Sequence, residues 1–487
     1  MNTTSPRTAS LGRIFGYALG EGAVSITMNG IANFAMLYYT QVLGLGAGYA
    51  GLALSITLLW DALTDPVMGH LTDNTRTRFG GRLPYMLVGG AALAVSFYLL
   101  WSVPPQFHTP VAVFWCILVV NLVVRTAVTI FLVPYTALGF EICPEYADRS
   151  RLQGVRYGFN MFVNLIFGAF AWTLFFKDRT APDGARIDGT TILGNYLTMA
   201  AVLSAATLVL VLLCAVFTWS YARDNRGAHL PGNSLAAFRA DMTSILTNRL
   251  AWTVFGFFAC AQLGMLMTSQ IQMFTYVLYM EFNETQKTAV HGAGMIAFAL
   301  GSLSLVRLSR YYDKKPCGYA AGLVCVAGGL GLLLVFGTGW LDRGAVLNVA
   351  GVTIPLAVIV FGFLQSLWWG GCGMLVPLAT SMIADIADLD YRRTGVLKDG
   401  SYAAVFSFVV KAAAAGGMFI TGRVVDWSGF VAGAEKQTAG ALDNIAIMTF
   451  VCGPLTVLAA LFVLRRYPVN QAYMDQHREA GPPATQT

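Results

Sequence analysis

The chain of 487 residues is strongly apolar, with 56% hydrophobic residues, 11% charged residues and a mean hydropathy of +0.61. A soluble globular protein has about 25% charged residues, so this composition excludes an ordinary water-soluble enzyme and indicates a chain solvated by lipid. The formal net charge of +6 matches the Lys and Arg that membrane proteins collect in cytoplasmic loops, and we expect no nucleic-acid partner.

Hydrophobic segments follow one another along the chain in two sets of six. Each is long enough for a helix that crosses the hydrocarbon core of a bilayer. The first set lies at about 12–42, 48–71, 84–103, 110–140, 153–176 and 192–221. The second set lies at about 249–280, 287–309, 317–338, 353–384, 399–422 and 443–464. We therefore predict an all-α membrane protein with twelve transmembrane helices.

The same pattern predicts the domains and the orientation. Two six-helix bundles, 1–221 and 249–487, flank a polar linker over 222–248, and the second bundle ends in a short tail. Most Lys and Arg residues fall in segments that are cytoplasmic when the N-terminus is inside, so both termini and the linker are expected in the cytoplasm. Six plus six helices around a central linker is the layout of the major facilitator fold. We expect a multi-pass protein of the cell inner (plasma) membrane that works as a monomer.

Three spans carry polar residues at steps of four. Residues four apart share one helix face, and a face turned to lipid would not stay polar. The stripes are Glu21, Ser25, Asn29 and Asn33 on the first span, Arg125 and Thr129 on the fourth, and Arg156, Asn160 and Asn164 on the fifth. Such faces line a water-filled cavity or a helix interface joined by amide groups. The arginines favour the cavity, because each needs an acid or a ligand.

The second span carries two acids one turn apart. Asp61, Thr64 and Asp65 share one helix face, and Pro66 leaves a nearby backbone carbonyl without its usual donor. Two carboxylates, a hydroxyl and a carbonyl suit a monovalent cation, either Na⁺ or a shared proton. A purely structural helix cap is the alternative for Asp65, but it does not account for Asp61. We predict a coupling-ion site here and no other cofactor.

Short cytoplasmic turns in the two halves share an acid followed by bases. Asp73 precedes Arg76 and Arg82, and Asp313 precedes Lys314 and a second lysine. An acid and bases in this order can latch helix ends by ion pairing, which predicts a gate. Ordinary positive loops are the alternative; they explain the bases but not the acid in both halves.

The second half is more apolar, and Lys411 is its clearest intramembrane charge. A lysine in the middle of a span pairs with an acid or reaches for the interface, and its distance from both predicted span ends favours pairing with Asp61 or Asp65. Further candidates for contact with a solute are Gln262, Gln270, Gln272, Gln365, Trp368 and Trp369.

Three stretches of the sequence resemble the glycoside–pentoside–hexuronide:cation symporters. The most specific is Trp60-Asp61-Ala62-Leu63-Thr64-Asp65-Pro66 through Arg82-Leu83-Pro84. The others are Val133-Pro134-Tyr135-Thr136-Ala137-Leu138-Gly139 with Arg149 to Arg156, and Ala384-Asp385 through Thr394-Gly395 to Lys411.

The resemblance implies a cation site formed by Asp61, Thr64, Asp65 and Thr129. It also implies that Arg156 contacts the solute and that Lys411 lies near the junction of the ion and solute sites. Arg125 stands where the melibiose-carrying member has a small residue, and its charge is suited to an acidic glycoside such as a hexuronide.

These features together predict a symporter that couples Na⁺ or H⁺ to a sugar-like solute. The residues predicted to bind the solute are Glu21, Ser25, Asn29, Arg125, Arg156, Asn160 and Lys411. A transporter of lysophospholipids and a membrane sensor that binds without transporting are the alternatives. An integral membrane enzyme is least favoured, because the five histidines are scattered and no nucleophile motif is present.

Overall fold

The computed structural model describes residues 11–75, 77, 79–142, 146–224, 243–309, 311–349, 352–395, 398–434 and 436–479, and these residues are mainly helical. In the first half, the helices are α1 (Leu11–Leu37), α2 (Ala47–Asn74), α3 (Leu83–Leu100), α4 (Pro110–Ile142), α5 (Tyr146–Phe175) and α6 (Leu193–Asp224). In the second half, they are α7 (Arg249–Phe274), α8 (Glu284–Leu308), α9 (Lys314–Leu332), α10 (Leu356–Thr394), α11 (Asp399–Trp427), α12 (Ala439–Leu464) and the short α13 (Gln471–Glu479).

Within the described ranges, 11 helices are long and apolar enough to cross a membrane. Helix α1 is not among them, although it has 27 residues. Its face with Glu21 and two asparagines lowers its apolar character, and such a face needs protein or water beside it. The fold class is as expected from the sequence, whereas the count of twelve spans stays a prediction.

The chain forms two compact units. One unit contains Met1–Leu230 with Val431–Glu435, and the other contains Pro231–Phe430 with Lys436–Thr487. In the N-terminal unit the main helix pairs are α1–α5, α1–α6, α2–α4, α3–α4 and α3–α6. The C-terminal unit has the equivalent pairs α7–α11, α7–α12, α8–α10, α9–α10 and α9–α12. The two halves therefore repeat one internal packing scheme, although their sequences show only a weak repeat.

The equivalent pairs α2–α4 and α8–α10 differ in chemistry. Between α8 and α10 the backbones lie very close: a Cβ on Gly301 would be 2.0 Å from the carbonyl oxygen of Gly370, and one on Gly373 would be 2.0 Å from that of Phe298. Glycine is required at both positions, because no side chain fits against a neighbouring backbone. The α2–α4 pair instead carries Asp61 and Thr129, so the polar site belongs to the N-terminal unit.

Two short antiparallel hairpins in the loops were missed by the sequence analysis. Strands β1 (Arg179–Thr180) and β2 (Arg186–Ile187) follow α5, and β3 (Leu347–Val349) and β4 (Val352–Ile354) precede α10. The turn between β1 and β2 contains Pro-Asp-Gly at 182–184, and Gly184 has a φ of 84°. This is a strong turn signal, but strands of two or three residues are too short to show a period.

Candidate functional site

Helix α2 presents its acids to α4 at the level of Pro66. The proline lies inside the helix and cannot donate a backbone hydrogen bond to the carbonyl of Ala62 one turn earlier. Asp61 is buried, with 8% of its surface exposed, and Asp65 is half-buried. Both acids lie on the side of α2 that is turned toward α4.

Both carboxylates converge on one hydroxyl of α4. The Thr129 Oγ1 atom lies 3.2 Å from Asp61 Oδ1 and 3.0 Å from Asp65 Oδ1. Thr64 Oγ1 lies 3.4 Å from the same hydroxyl oxygen and also donates to the Trp60 carbonyl at 3.1 Å. A threonine hydroxyl has one hydrogen, so it serves only one carboxylate at a time. The arrangement gathers four oxygen atoms, which is the chemistry that hard cations prefer.

Arg125 approaches the same acids from one turn earlier on α4. Its Nη1 atom is 3.9 Å from Asp61 Oδ2, and the side chains of this pair are 19% and 12% exposed. Asp61 therefore presents one oxygen to Thr129 and the other to a guanidinium. The sequence left open whether Arg125 faces the acids or a solute, and in this structure it faces the acids.

A second polar cluster joins α1 to α5. Arg156 Nε donates to Glu21 Oε2 at 2.5 Å, and both side chains are 12% exposed. Asn160 Nδ2 donates to Glu21 Oε1 and to Ser25 Oγ, both at 3.2 Å. Glu21 and Arg156 were both predicted to bind a solute, and in the structure they pair with each other.

The cluster continues along both helices through Asn164. Ser25 Oγ donates to Asn164 Oδ1 at 3.1 Å, Asn29 Nδ2 bonds to the same oxygen, and Asn164 Nδ2 donates to Asn160 Oδ1 at 2.7 Å. In this conformation the asparagines act as a helix interface, the alternative that the spacing had left open.

Arg156 also packs against aromatic rings at the junction with α4. Its guanidinium carbon lies 5.5 Å from the centre of the Tyr135 ring, within range of a cation–π contact. Tyr135 stacks on Tyr17 at 4.3 Å, and each hydroxyl donates to the other residue's backbone carbonyl, at 3.0 and 3.1 Å. A Cβ on Gly139 would be 2.4 Å from the Tyr17 hydroxyl oxygen. Two residues of the Val133–Gly139 motif therefore hold α1 against α4.

The predicted gate residues are only partly within the described chain. Arg76 and the Asp73 side chain lie outside the described residues. Arg82 immediately precedes α3 and is half-buried. The carboxylate of Asp313 accepts the backbone N–H of Gln471 at the start of α13, at 3.1 Å.

The acid that pairs with Lys314 at the start of α9 was not predicted from the sequence. Lys314 Nζ lies 2.6 Å from Asp385 Oδ2 on α10, so this lysine joins α9 to α10 at their ends. Lys411 lies near the middle of α11 in the C-terminal unit and is half-buried. Its predicted role beside the cation site stays a prediction.

A third feature missed from the sequence extends the polar face of α4. Asn121 Nδ2 donates to the Tyr39 hydroxyl at 2.7 Å, and Asn121 lies four residues before Arg125. Asn121, Arg125 and Thr129 therefore form one stripe on α4. The step of four from Asn121 to Arg125 was visible in the sequence. Single buried asparagines are common in membrane helices, so this one did not by itself indicate a site.

The chain belongs to the MFS/sugar transport protein family, whose model matches residues 16–471. The helix packing and this match define a multi-pass membrane transporter of the major facilitator type. Two relatives from Escherichia coli (strain K12) illustrate the family. The putative glycoside/cation symporter YagG is 26% identical over 94% of this chain and 92% of that protein. The glucuronide carrier protein homolog is 25% identical over 94% and 92%.

The fold also matches solved transporters. The crystal structure of the D-xylose-proton symporter superposes with a TM-score of 0.61 at 13% sequence identity, over 93% of this chain and 97% of that one. This likeness concerns the fold alone, since the identity is low.

Proposed function

We propose that this protein is a symporter that uses a Na⁺ or H⁺ gradient to accumulate a glycoside or a hexuronide by alternating access. The observation that carries the proposal is the convergence of two carboxylates and two hydroxyls on one point between α2 and α4. The printed names of the curated relatives, a glycoside/cation symporter and a glucuronide carrier, support the same class of solute and a coupling cation.

The charges around Thr129 suit one monovalent cation. Asp61, Asp65 and Arg125 together carry a net charge of −1 when both acids are ionised. One Na⁺ or one proton makes this group neutral, which removes the repulsion between the carboxylates. Binding of the cation also weakens the hold of Asp61 on Arg125. The ion therefore changes the packing of α2 against α4, which provides a physical link to the rest of the unit.

The α1–α5 cluster is the proposed solute site of the N-terminal unit. A carboxylate, a guanidinium and amides are the groups that bind sugar hydroxyls or a hexuronate, and here they lie on adjacent turns of two helices. The hydrogen bonds that these groups make to one another are exchanged for bonds to a solute, so little desolvation cost remains.

The proposed transporter is a monomer with both termini and the linker in the cytoplasm. Residues 225–242 of that linker lie outside the described chain.

Uptake into proteoliposomes tests the proposed function. Purified protein is exposed to a panel of glycosides, hexuronides and lysophospholipids, with an imposed Na⁺ gradient, an imposed pH gradient or neither. We expect one sugar class to accumulate under one of the gradients, and accumulation to disappear when an ionophore collapses that gradient. Accumulation of a lysophospholipid instead would favour the amphiphile alternative. Binding of a solute without counterflow would favour a sensor.

Replacing Arg156 with Gln is expected to weaken solute binding by about ten- to a hundredfold, because one charge-assisted hydrogen bond contributes roughly 1.5–3 kcal/mol. Binding is measured by titration of the purified protein with the solute that the uptake panel identifies. Arg151→Gln is the matched control, since Arg151 is exposed on the same helix. Equal affinities in wild type and Arg156→Gln would show that the α1–α5 cluster is only a helix interface.

A further inference from the structure

Helices α1 and α7 have equivalent places in their units, and the chain leaves them in the same way. Each is followed by a wide π-helical turn, Tyr38–Val42 after α1 and Thr275–Tyr279 after α7. In both cases the first residue after the turn donates its N–H to the first carbonyl of the turn, and the third donates to the second carbonyl, at 2.9–3.0 Å. The residue between these two donors is left-handed in both units: Gly44 has a φ of 64° and Glu281 a φ of 51°.

Glu281 is an unusual residue for this position. Among the residues that the structure describes, it is the one non-glycine residue with a positive φ. A left-handed backbone brings a Cβ too close to the following carbonyl oxygen, and glycine avoids this cost. The N-terminal unit makes the same turn with Gly44, so the turn itself gives no reason for a glutamate. Backbone strain of this kind is concentrated at functional sites, and we therefore expect the Glu281 carboxylate to have a role of its own.

Glu281 lines a cleft in the C-terminal unit, apart from the polar clusters described above. The cleft lies between the loop that joins α7 to α8 and the segments on either side of the β3–β4 hairpin, and its volume is about 340 Å³. Sites for small molecules begin at about 300 Å³. Its accessible wall is more polar than apolar, and its polar side chains include those of Glu281, Gln286 and Arg343. Glu281 is exposed, and 42% of the Arg343 side chain is exposed.

Arg343 is held in place on the wall of this cleft. Its guanidinium carbon lies 3.9 Å from the centre of the Tyr279 ring, a close cation–π contact. Its Nη1 atom donates to the Tyr279 carbonyl at 3.3 Å, and its Nη2 atom donates to Asp443 Oδ1 at 3.1 Å. These two bonds use two of the five N–H donors of a guanidinium. The side chain is therefore fixed and still has donors for a ligand.

These groups are suited to a sugar. A carboxylate can accept hydrogen bonds from neighbouring hydroxyls, and a guanidinium can donate to hydroxyl oxygens. Because Arg343 is already paired with Asp443, a hexuronate carboxylate would be repelled by Glu281, and a neutral glycoside is favoured. We propose that Glu281 and Arg343 form a second binding site, which takes a neutral glycoside before it reaches the α1–α5 cluster. The solute class and the external position rest on the proposed function, since this end of α7 is the one away from the linker.

A thiol on the wall of the cleft reports binding there without any transport. Val346 lines the cleft and is 54% exposed. The rate at which a maleimide modifies purified Val346→Cys is measured with methyl glucoside, methyl galactoside, methyl xyloside or methyl glucuronide present, and the rate for the unsubstituted protein is subtracted. We expect at least one neutral glycoside to slow the reaction, and methyl glucuronide to require an at least tenfold higher concentration. The protection should persist when Arg156→Gln is added, because that change weakens only the α1–α5 cluster.

Glu281→Gly in the Val346→Cys protein tests the role of the glutamate. The concentration of glycoside for half-maximal protection is expected to rise by about ten- to a hundredfold, because hydrogen bonds to a charged group are lost. The melting temperature is expected to rise by roughly 1–2 °C, because glycine relieves the left-handed backbone. Asp342→Asn is the matched control: this exposed acid precedes Arg343 but is not part of the cleft wall, and Asn can accept the same bond from the Gly344 N–H. It should leave the protection unchanged.

Two results would overturn the proposal. One is protection by none of the three neutral glycosides although the uptake panel shows that a glycoside is transported. The other is a more stable Glu281→Gly protein with unchanged protection, which would make Glu281 a tolerated strain and nothing more. Protection that depends on Glu281 in a protein that accumulates no sugar would support this site and contradict the proposed transport function, so the two failures are distinguishable.

Discussion

Asp61→Asn is expected to abolish concentrative uptake, so that the solute inside proteoliposomes rises only to the level outside. The amide keeps the size of the carboxylate. Its oxygen can still accept the hydrogen bond from the Thr129 hydroxyl, which is 3.2 Å long in the wild-type structure. It removes one of the two negative charges that hold the cation, and the remaining charges of Asp65 and Arg125 then sum to zero. A site without net negative charge has little affinity for a cation at this depth.

Three measurements separate a loss of coupling from a loss of folding. Uptake driven by the gradient is compared with counterflow of the solute at equal concentrations, and the melting temperature is recorded for both proteins. We expect counterflow and folding to persist in Asp61→Asn. Asp183→Asn is the control, because Asp183 lies exposed in the turn between β1 and β2, where Asn can accept the same bond from the Ala185 N–H. Retained accumulation in Asp61→Asn would refute the cation site on α2.

The sequence was sufficient to predict the face of α2 but only part of its surroundings. Asp61, Thr64 and Asp65 share a face because helix geometry is local and regular. Their contact with Thr129 was implied by the family resemblance, since the approach of α2 to α4 depends on tertiary packing. The spacing alone contained no information about the 3.0–3.2 Å convergence.

The polar stripes on α1 and α5 are a second case in which the sequence did not predict a contact between helices. The step of four indicated one polar face on α1 and one on α5, but it could not show that the two faces meet. Glu21 and Arg156 were each predicted to meet a solute, and the structure joins them to each other. A residue-by-residue prediction shows that a buried charge needs a partner, but it does not show which residue or ligand supplies it. In the folded protein an internal partner is often supplied by a helix more than 100 residues away, as here.

Arg125→Gln is expected to lower the concentration of the coupling cation that half-saturates uptake by about tenfold or more. The guanidinium lies 3.9 Å from Asp61 Oδ2, and two unit charges at about 4 Å interact with roughly 4 kcal/mol at an effective dielectric constant of 20. The arginine therefore competes with the cation for the same carboxylate. Its removal leaves a net charge of −2 from Asp61 and Asp65, which attracts a cation more strongly.

Arg125→Lys is the matched variant, because it keeps the positive charge and is expected to stay close to wild type in its cation dependence. The comparison also decides between the two roles that the sequence left open for Arg125. If Arg125 held the carboxylate of a hexuronide, Arg125→Gln would raise the half-saturating concentration of the hexuronide and not that of a neutral glycoside. The cation dependence would then stay unchanged. A lower cation requirement for every transported solute would instead follow from the ion pair with Asp61, since that pair acts on the ion site whichever sugar is carried.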